Sequence, residues 1–307
     1  MGEQNLETNI NPIVTPPESK DKKGKSPLQL ALRRFLKNKM ALAGIIILIL
    51  VTLMAVFAPL LSSHDPLKTD LYNTEAKPSS ENLLGTDETG RDNFSRLLFG
   101  GRVSLLIGVM TMLGTVFIGA TLGAIAGYYG KWIDTLVMRF TDLVLALPFL
   151  LLVLFVIAVV GNTGMWMLIG ILMLVVWPQT ARIVRAEFLS LREREFVLSA
   201  RAAGCRDSRI IFRHIVPNAI APLIVNATLL MGLMITIESS LSFLGFGVPE
   251  PTPTWGNMLN SARSIRTLST EPWRWLPPGF LIVITVLAIN FIGDGLRDAF
   301  DTKSTRR

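Results

Sequence analysis

The sequence predicts an all-α membrane protein with six transmembrane helices. Half of its 307 residues are hydrophobic and only 17% are charged, whereas soluble domains carry about 25% charged residues. A helix needs about 20 apolar residues to cross the hydrocarbon core. Runs such as GIIILIL lack the alternation of polar and apolar residues that transmembrane barrel strands require. Five long stretches contain no charged residue: 41–63, 103–130, 143–181, 214–237 and 275–293.

The stretch 143–181 is 39 residues long, which is too long for a single span. The turn sequence GNTG at residues 161–164 divides it into two helices. The sequence therefore predicts a first span over residues 42–63. Five further helices are expected at about residues 103–128, 140–160, 165–185, 218–243 and 277–297.

Basic residues predict the orientation. Of the 30 Lys and Arg residues, 22 lie on the side of the termini and 8 on the other side. Because cytoplasmic loops carry the excess of Lys and Arg, we expect both termini in the cytoplasm and a multi-pass protein of the cell membrane. Residues 1–41 form a cytoplasmic tail that is partly disordered and has an amphipathic end. That end either lies on the membrane surface or is a simple basic flank, and residues 298–307 form the second tail.

Two segments are expected outside the cell. Residues 64–102 form an extracytoplasmic segment, with a short helix near 94–99 that folds back against the membrane. Residues 245–278 form a second outer loop, whose tryptophans suit the membrane interface. Long loops of this kind are often functional.

The sequence offers little support for an enzyme. It contains no complete G-x-x-x-x-G-K-[ST] phosphate-binding loop, and its two histidines lie on opposite sides of the membrane. We therefore assign no catalytic residue, no cofactor-binding residue and no metal ligand. The net charge of +7 reflects topology, and nothing in the sequence indicates nucleic-acid binding. Glu238 is the one charged residue well inside a span, so it either lines a pathway or gate, or it bonds to the loop that follows.

The inner loop of residues 187–217 is the most informative segment. It contains EFVLSARAAGCRDSRIIFRHIVP, in which small residues precede Gly204 and arginines surround them. We expect two short helices hinged at Gly204, forming a knob that docks into a partner. A solvated basic loop is the alternative from composition alone.

These residues resemble the EAA loop of inner-membrane permeases in ATP-binding-cassette (ABC) transporters. Gly204 and Pro217 keep the thirteen-residue spacing of that motif. Three further segments are similar to the second, C-type permease of dipeptide and oligopeptide importers: LLGTDETGRDNFSRLLFGGRVSL, ESSLSFLGFGVPEPTPTWGNML and IGDGLRDAFD. The resemblance assigns these residues to ATPase coupling: Glu195, Phe196, Val197, Ala200, Arg201, Ala202, Gly204 and Pro217.

The resemblance implies a type I importer permease fold with its core at residues 103–297. It implies three kinds of partner besides membrane lipid: a second homologous permease, two cytoplasmic ABC ATPase subunits and an extracytoplasmic peptide-binding protein. The chain would be a non-catalytic subunit that translocates di- and oligopeptides. Import of nickel, glutathione or oligosaccharide by the same architecture stays open, as does an ATP-independent secondary carrier or channel.

Overall fold

A computed structural model describes residues 27–161 and 164–300 of the chain. All repeating structure in these residues is helical, and the one isolated β-bridge joins Thr86 to Asp92. The predicted disorder before residue 27 and the predicted tail beyond residue 300 lie outside the described residues, as does the centre of the predicted turn. The elements are α1 (Pro27–Phe35), α2 (Lys39–Val56), α3 (Ala58–Leu61), α4 (Asn93–Tyr129), α5 (Lys131–Ala146), α6 (Phe149–Val160), α7 (Met165–Arg192), α8 (Glu195–Ala202), α9 (Asp207–Ile210), a π-turn (Ile211–Ile215), α10 (Val216–Leu244), α11 (Trp255–Asn260), a 3₁₀ turn (Ser261–Arg263), α12 (Ile265–Thr270) and α13 (Pro272–Phe300).

Five helical segments of the described residues are long and apolar enough to cross a membrane: α2, α4, α7, residues 207–244 and α13. A sixth span exists only if α5 and α6 are counted together, and these two meet at a bend of 90°. The continuous helix expected over residues 140–160 is therefore interrupted. Leu147 is extended, with φ −86° and ψ 138°, because a residue before proline is disfavoured in the helical region.

α4 begins at Asn93, whereas we expected the second span to start at residue 103. Asp92 caps it by accepting a hydrogen bond from the Ser95 N–H at 2.7 Å. The separate helix expected near residues 94–99 is thus the first part of α4. The charged side chain of Arg96 is typical of a loop outside the membrane. Here its charge is compensated, because Arg96 donates to both carboxylate oxygens of Glu250 at 3.1 and 3.2 Å.

Glycines on α4 set the closest contacts between helices. A Cβ on Gly119 would lie 2.7 Å from a side chain of α7, and a Cβ on Gly123 would lie 2.4 Å from a carbonyl oxygen of α7. Gly114 and Gly127 meet α7 in the same way, and Gly108 meets α10. Small residues at this spacing allow two backbones to approach closely, so α4 and α7 are held together along most of their length.

The two ends of the bundle differ. At one end, which we call the loop end, residues 62–92 and 245–271 cover the helices. At the other end, residues 193–215 join α7 to α10, and we call this segment the connector. The connector is shorter than the expected loop of residues 187–217 because α7 continues to Arg192. α1 also lies at the connector end, where Phe35 packs against Gly295 of α13.

The loop end contains paired charges. Arg91 joins Asp87 to Glu250, with a distance of 2.6 Å to each carboxylate. Burial alone would raise the pKa of Asp87. Hydrogen bonds from the Arg91 and Thr89 backbone, the charge of Arg91 and the Thr89 hydroxyl outweigh burial and lower the pKa below its ordinary value of 3.8. Asp87 is therefore a carboxylate at neutral pH.

A second ion-pair network ties the start of α13 to the outer segments. The buried Arg274 donates to Glu271 at 2.6 Å and to Glu88 at 3.0 Å. Glu75 accepts from Arg266 at 2.9 Å and lies 3.7 Å from Arg274. Residues far apart in sequence are thereby fixed in one cluster.

Candidate functional site

One face of the connector belongs to the core of the protein. Val197, Ile210 and Ile215 are completely buried and pack in one apolar cluster with Val184 and Phe188 of α7. The spacing of these residues places an apolar side chain on the inner face of α8, of α9 and of the π-turn. The connector is therefore a folded knob seated on the ends of the helices.

α8 ends in a closed turn at Gly204. The Gly204 N–H donates to the Arg201 carbonyl at 3.0 Å, and the Cys205 N–H donates to the Ala200 carbonyl at 3.1 Å. This pair of bonds is the Schellman arrangement, which places a left-handed residue just after a helix, and Gly204 has φ +77°. The expected hinge is thus a turn held by two hydrogen bonds. A Cβ added to Gly204 would meet no atom within 4 Å.

The predicted coupling residues divide by exposure. Val197 is buried and Ala200 is half-buried, so these two fasten α8 to the bundle. Phe196 is 40% exposed although its ring is apolar. The others lie on the outer surface: Glu195, Arg201, Ala202, Gly204 and Pro217.

Sequence reasoning missed two exposed apolar side chains on the connector. Leu198 is 50% exposed and Phe212 is 73% exposed. Each follows another apolar residue in the sequence, Val197 and Ile211, so the sequence does not show which member of the pair is exposed. The connector also carries five arginines against three carboxylates. Its outer surface therefore combines apolar side chains with a positive charge, as docking surfaces do.

Two side-chain interactions attach the connector to the end of α4, and a third, from Arg192, attaches the end of α7. The Tyr128 hydroxyl donates to Asp207 Oδ1 at 2.6 Å. The Arg201 guanidinium lies 5.8 Å from the centre of the Tyr128 ring, within reach of a cation–π interaction. Arg192 donates to the carbonyls of Gly127 and Tyr128 at 3.3 and 3.4 Å. The sequence had suggested no role for Tyr128.

The junction between connector and α10 departs from regular helix. Pro217 lacks an N–H, so it cannot donate to the carbonyl of Arg213 four residues earlier. The chain forms a π-turn there, in which the Val216 N–H donates to the Ile211 carbonyl. The Asn218 side-chain amide donates to the His214 carbonyl at 2.6 Å. Pro217 therefore interrupts the helix, and the side chain of Asn218 bonds to a carbonyl beside the interruption.

Glu238 lies deep in α10 near the loop end and is completely buried. Its carboxylate accepts hydrogen bonds from Ser242 at 2.7 Å and Ser104 at 3.2 Å. Ser104 in turn accepts from the Trp255 N–H at 3.1 Å. Glu238 is therefore the centre of a polar cluster that joins α4, α10 and α11, and it bonds to the helix following the loop that starts at Gly245. Its assignment to a pathway or gate stays a prediction.

Metal binding finds no support in the described part of the chain, because no three His, Cys, Asp or Glu side chains there come together as a metal site. Cys205 is a free thiol on the connector. The arrangement of the connector is suited to protein contact rather than to bond-breaking chemistry.

Known proteins resemble this chain over nearly its whole length. The family profile described as "Binding-protein-dependent transport system inner membrane component" matches residues 119–306. The profile described as "N-terminal TM domain of oligopeptide transport permease C" matches residues 26–78. The first match begins within α4 and takes in the rest of the bundle, and the second takes in the first span and the start of the segment that follows it.

Three relatives illustrate the similarity. The dipeptide transport system permease protein DppC of Alkalihalophilus pseudofirmus is 44% identical over 94% of each chain. The oligopeptide transport system permease protein OppC of Bacillus subtilis is 39% identical over 98% of this chain and 99% of that protein. The glutathione transport system permease protein GsiD of Pectobacterium atrosepticum is 39% identical over 95% of this chain and 96% of that protein.

A solved structure of the MetNI methionine ABC transporter, in an inward-facing conformation, contains a similar chain. The two chains are 21% identical with a TM-score of 0.54, and the match covers 66% of this chain and 96% of the other. At this identity the likeness concerns the fold alone.

Proposed function

Since the chain belongs to the family of binding-protein-dependent transport system inner membrane components, as the sequence predicted, we propose that it is one of two permease subunits that together move short peptides across the cell membrane. The predicted type I importer permease fold is likewise confirmed. The peptide assignment is carried by full-length similarity to relatives whose names specify dipeptide and oligopeptide transport. The energy would come from ATP that two separate ABC ATPase subunits hydrolyse.

The connector is the proposed docking surface for an ATPase subunit. It is a folded knob with an apolar and basic outer face, and its exposed Ala202 and Gly204 leave room for another backbone. Phe196, Leu198 and Arg201 supply side chains around that position. Closure of the ATPases on ATP would move the docked knob as a rigid body and reorient the spans.

The connector end then faces the cytoplasm. The distribution of 22 basic residues against 8 supports this orientation. The loop end faces outward, where an extracytoplasmic binding protein would deliver the peptide. The second permease would complete the pathway beside this chain.

Glutathione is the alternative substrate with specific support, because a glutathione permease is 39% identical to this chain. Glutathione is itself a tripeptide, so both readings share the chemistry of a short peptide. Competition between labelled dipeptide and glutathione for uptake by the complete transporter separates them. A secondary carrier makes a different prediction: the purified chain alone would move peptide into liposomes without ATP.

Site-directed crosslinking in transporting cells tests the proposal. In a Cys205→Ser background, Phe196→Cys on the connector should crosslink to a nucleotide-hydrolysing subunit. Tyr72→Cys, a fully exposed position at the loop end, is the matched control and should not. If residue 196 crosslinks only to lipid or to this chain while uptake continues, the docking assignment is wrong.

A further inference from the structure

Tyr128 stands where α4 meets the connector. Its side chain is almost completely buried, yet its hydroxyl reaches the exposed connector residue Asp207 at 2.6 Å. This hydrogen bond links a side chain of α4 directly to a side chain of the connector. We infer that Tyr128 is a positioning residue for energy coupling, whose hydroxyl makes the connector and α4 move together. The inference rests on the proposed function, because it assumes a motor that pulls on the connector.

Two arginines make further contacts with α4 close to the Tyr128 ring. Arg201, at the end of α8, lies over the ring face at 5.8 Å. Arg192, at the end of α7, donates to the last carbonyls of α4, which have no donor within the helix itself. α7, α8 and α9 therefore all reach the final turn of α4 through polar side chains.

The route through α10 is built differently. The connector enters α10 through the π-turn and Pro217, where the regular i→i+4 ladder of hydrogen bonds is broken. Proline and π-turns are the usual sites at which helices bend, so the helical path from α9 into α10 has a bending point here. A pull on the connector is therefore carried to α4 through Tyr128, in addition to the continuous chain into α7.

α4 and α7 then carry that motion toward the loop end as one unit. Their glycine-mediated contacts extend from Gly127 beside the connector to Gly114 near mid-span. Packed helices with backbone contact shift as rigid elements because interiors are close-packed. The hydroxyl of Tyr128 is the point at which the connector joins this unit.

Tyr128→Phe in the complete transporter is the direct test, since it removes one oxygen and keeps the ring. We expect about tenfold less peptide transported per ATP hydrolysed, as for loss of one hydrogen bond to a charged acceptor. Co-purification of the ATPase subunits and crosslinking from residue 196 should persist. Tyr129→Phe is the matched control, because the neighbouring Tyr129 is half-exposed and should keep the wild-type ratio.

Variants at Asp207 separate positioning from general damage. Asp207→Ala should lower the same ratio to the same extent, and Asp207→Asn, which keeps an acceptor oxygen, should restore most of it. The double variant Tyr128→Phe with Asp207→Ala should be no worse than either single change.

Unchanged coupling in Tyr128→Phe overturns the inference and leaves the proposed function standing. Additive losses in the double variant overturn it as well. A wild-type connector that never crosslinks to an ATPase overturns the proposed function instead.

Discussion

The outer loops at the loop end and the connector at the opposite end are attached to the helices by different forces. At the loop end, buried arginines are locked into carboxylates that come from distant parts of the sequence, as with Arg96 and Glu250. At the connector end, an apolar cluster seats a small knob whose outer face is open, and one tyrosine hydroxyl links it to α4. The difference indicates that the loop end is a fixed frame and that the connector end is the part built to be acted on.

The largest expected effect is on transport, from a change that hardly touches the fold. Gly204→Asp should leave membrane insertion intact and abolish peptide uptake. A side chain at this left-handed position strains the backbone by roughly 1–2 kcal/mol, but its Cβ meets no atom within this chain, so we expect a complete loss of uptake to arise at a partner surface. Ser208→Asp, which adds the same charge elsewhere on the connector, is the control. Normal peptide uptake by Gly204→Asp would contradict the view that a partner acts on the connector.

The matching change at the loop end should act on stability. Arg96→Met removes one arginine of a buried network in which Arg91 still pairs with Asp87 and Glu250, so losing its hydrogen bonds to a charged group should cost about 1.5–3 kcal/mol of unfolding free energy. The thermal unfolding midpoint of the detergent-purified transporter measures this. Arg102→Met on the same helix is the control, because Arg102 is exposed and should change stability by less than about 1 kcal/mol. If the two changes lower the unfolding midpoint equally, the ion pairs of the loop end do not stabilise the fold as the comparison requires.

Glu238→Gln sharpens the assignment of the buried carboxylate. If Glu238 belongs to the frame, the disrupted hydrogen bonds to Ser104 and Ser242 should cost about 1–3 kcal/mol, and transport per folded molecule should stay normal. The exposed Ser240→Ala on the same helix should be silent. An unchanged unfolding midpoint with impaired transport would instead place Glu238 on a peptide pathway.

The smallest effect is a pH dependence of the loop end. The pKa of Asp87 is lowered in the folded protein, so its contribution to stability is complete above the ordinary value of 3.8. That contribution is lost as the pH falls through the lower folded-state value. Unfolding midpoints measured downward from pH 6 should therefore drop more steeply for the wild type than for Asp87→Asn. If the unfolding midpoints of the two proteins fall in parallel with pH, the ion pairs of Asp87 do not contribute to stability.

Local chemistry in the sequence was enough for the helices and for the position of the connector. The charge-free stretches located five of the spans, and the resemblance of the segment around Gly204 and Pro217 to a known loop located the knob. The early start of α4 was not accessible in this way, because Arg96 looks like a loop residue until Glu250 is known to face it. The closed turn at Gly204 looked like a hinge because its two hydrogen bonds are invisible in the sequence.

The tie between Tyr128 and Asp207 could not be predicted for the same reason. The two residues are 79 positions apart, and only the packing of α4 beside α7 brings them together. An aromatic residue at the end of an apolar stretch is common at membrane interfaces, so Tyr128 carried no distinctive signal. Pairings of this kind depend on tertiary geometry and not on composition or spacing.

The right-angled bend between α5 and α6 has a consequence for a cell that makes this chain by itself. The bend leaves peptide groups at Leu147 and Pro148 outside a regular helix, on a surface where most side chains are uncovered. In lipid, irregular backbone is tolerated only where other protein or water surrounds it. A subunit made without its partner subunits would expose this irregular backbone to the bilayer and should be recognised and degraded. The abundance of this subunit should therefore follow that of its partner subunits.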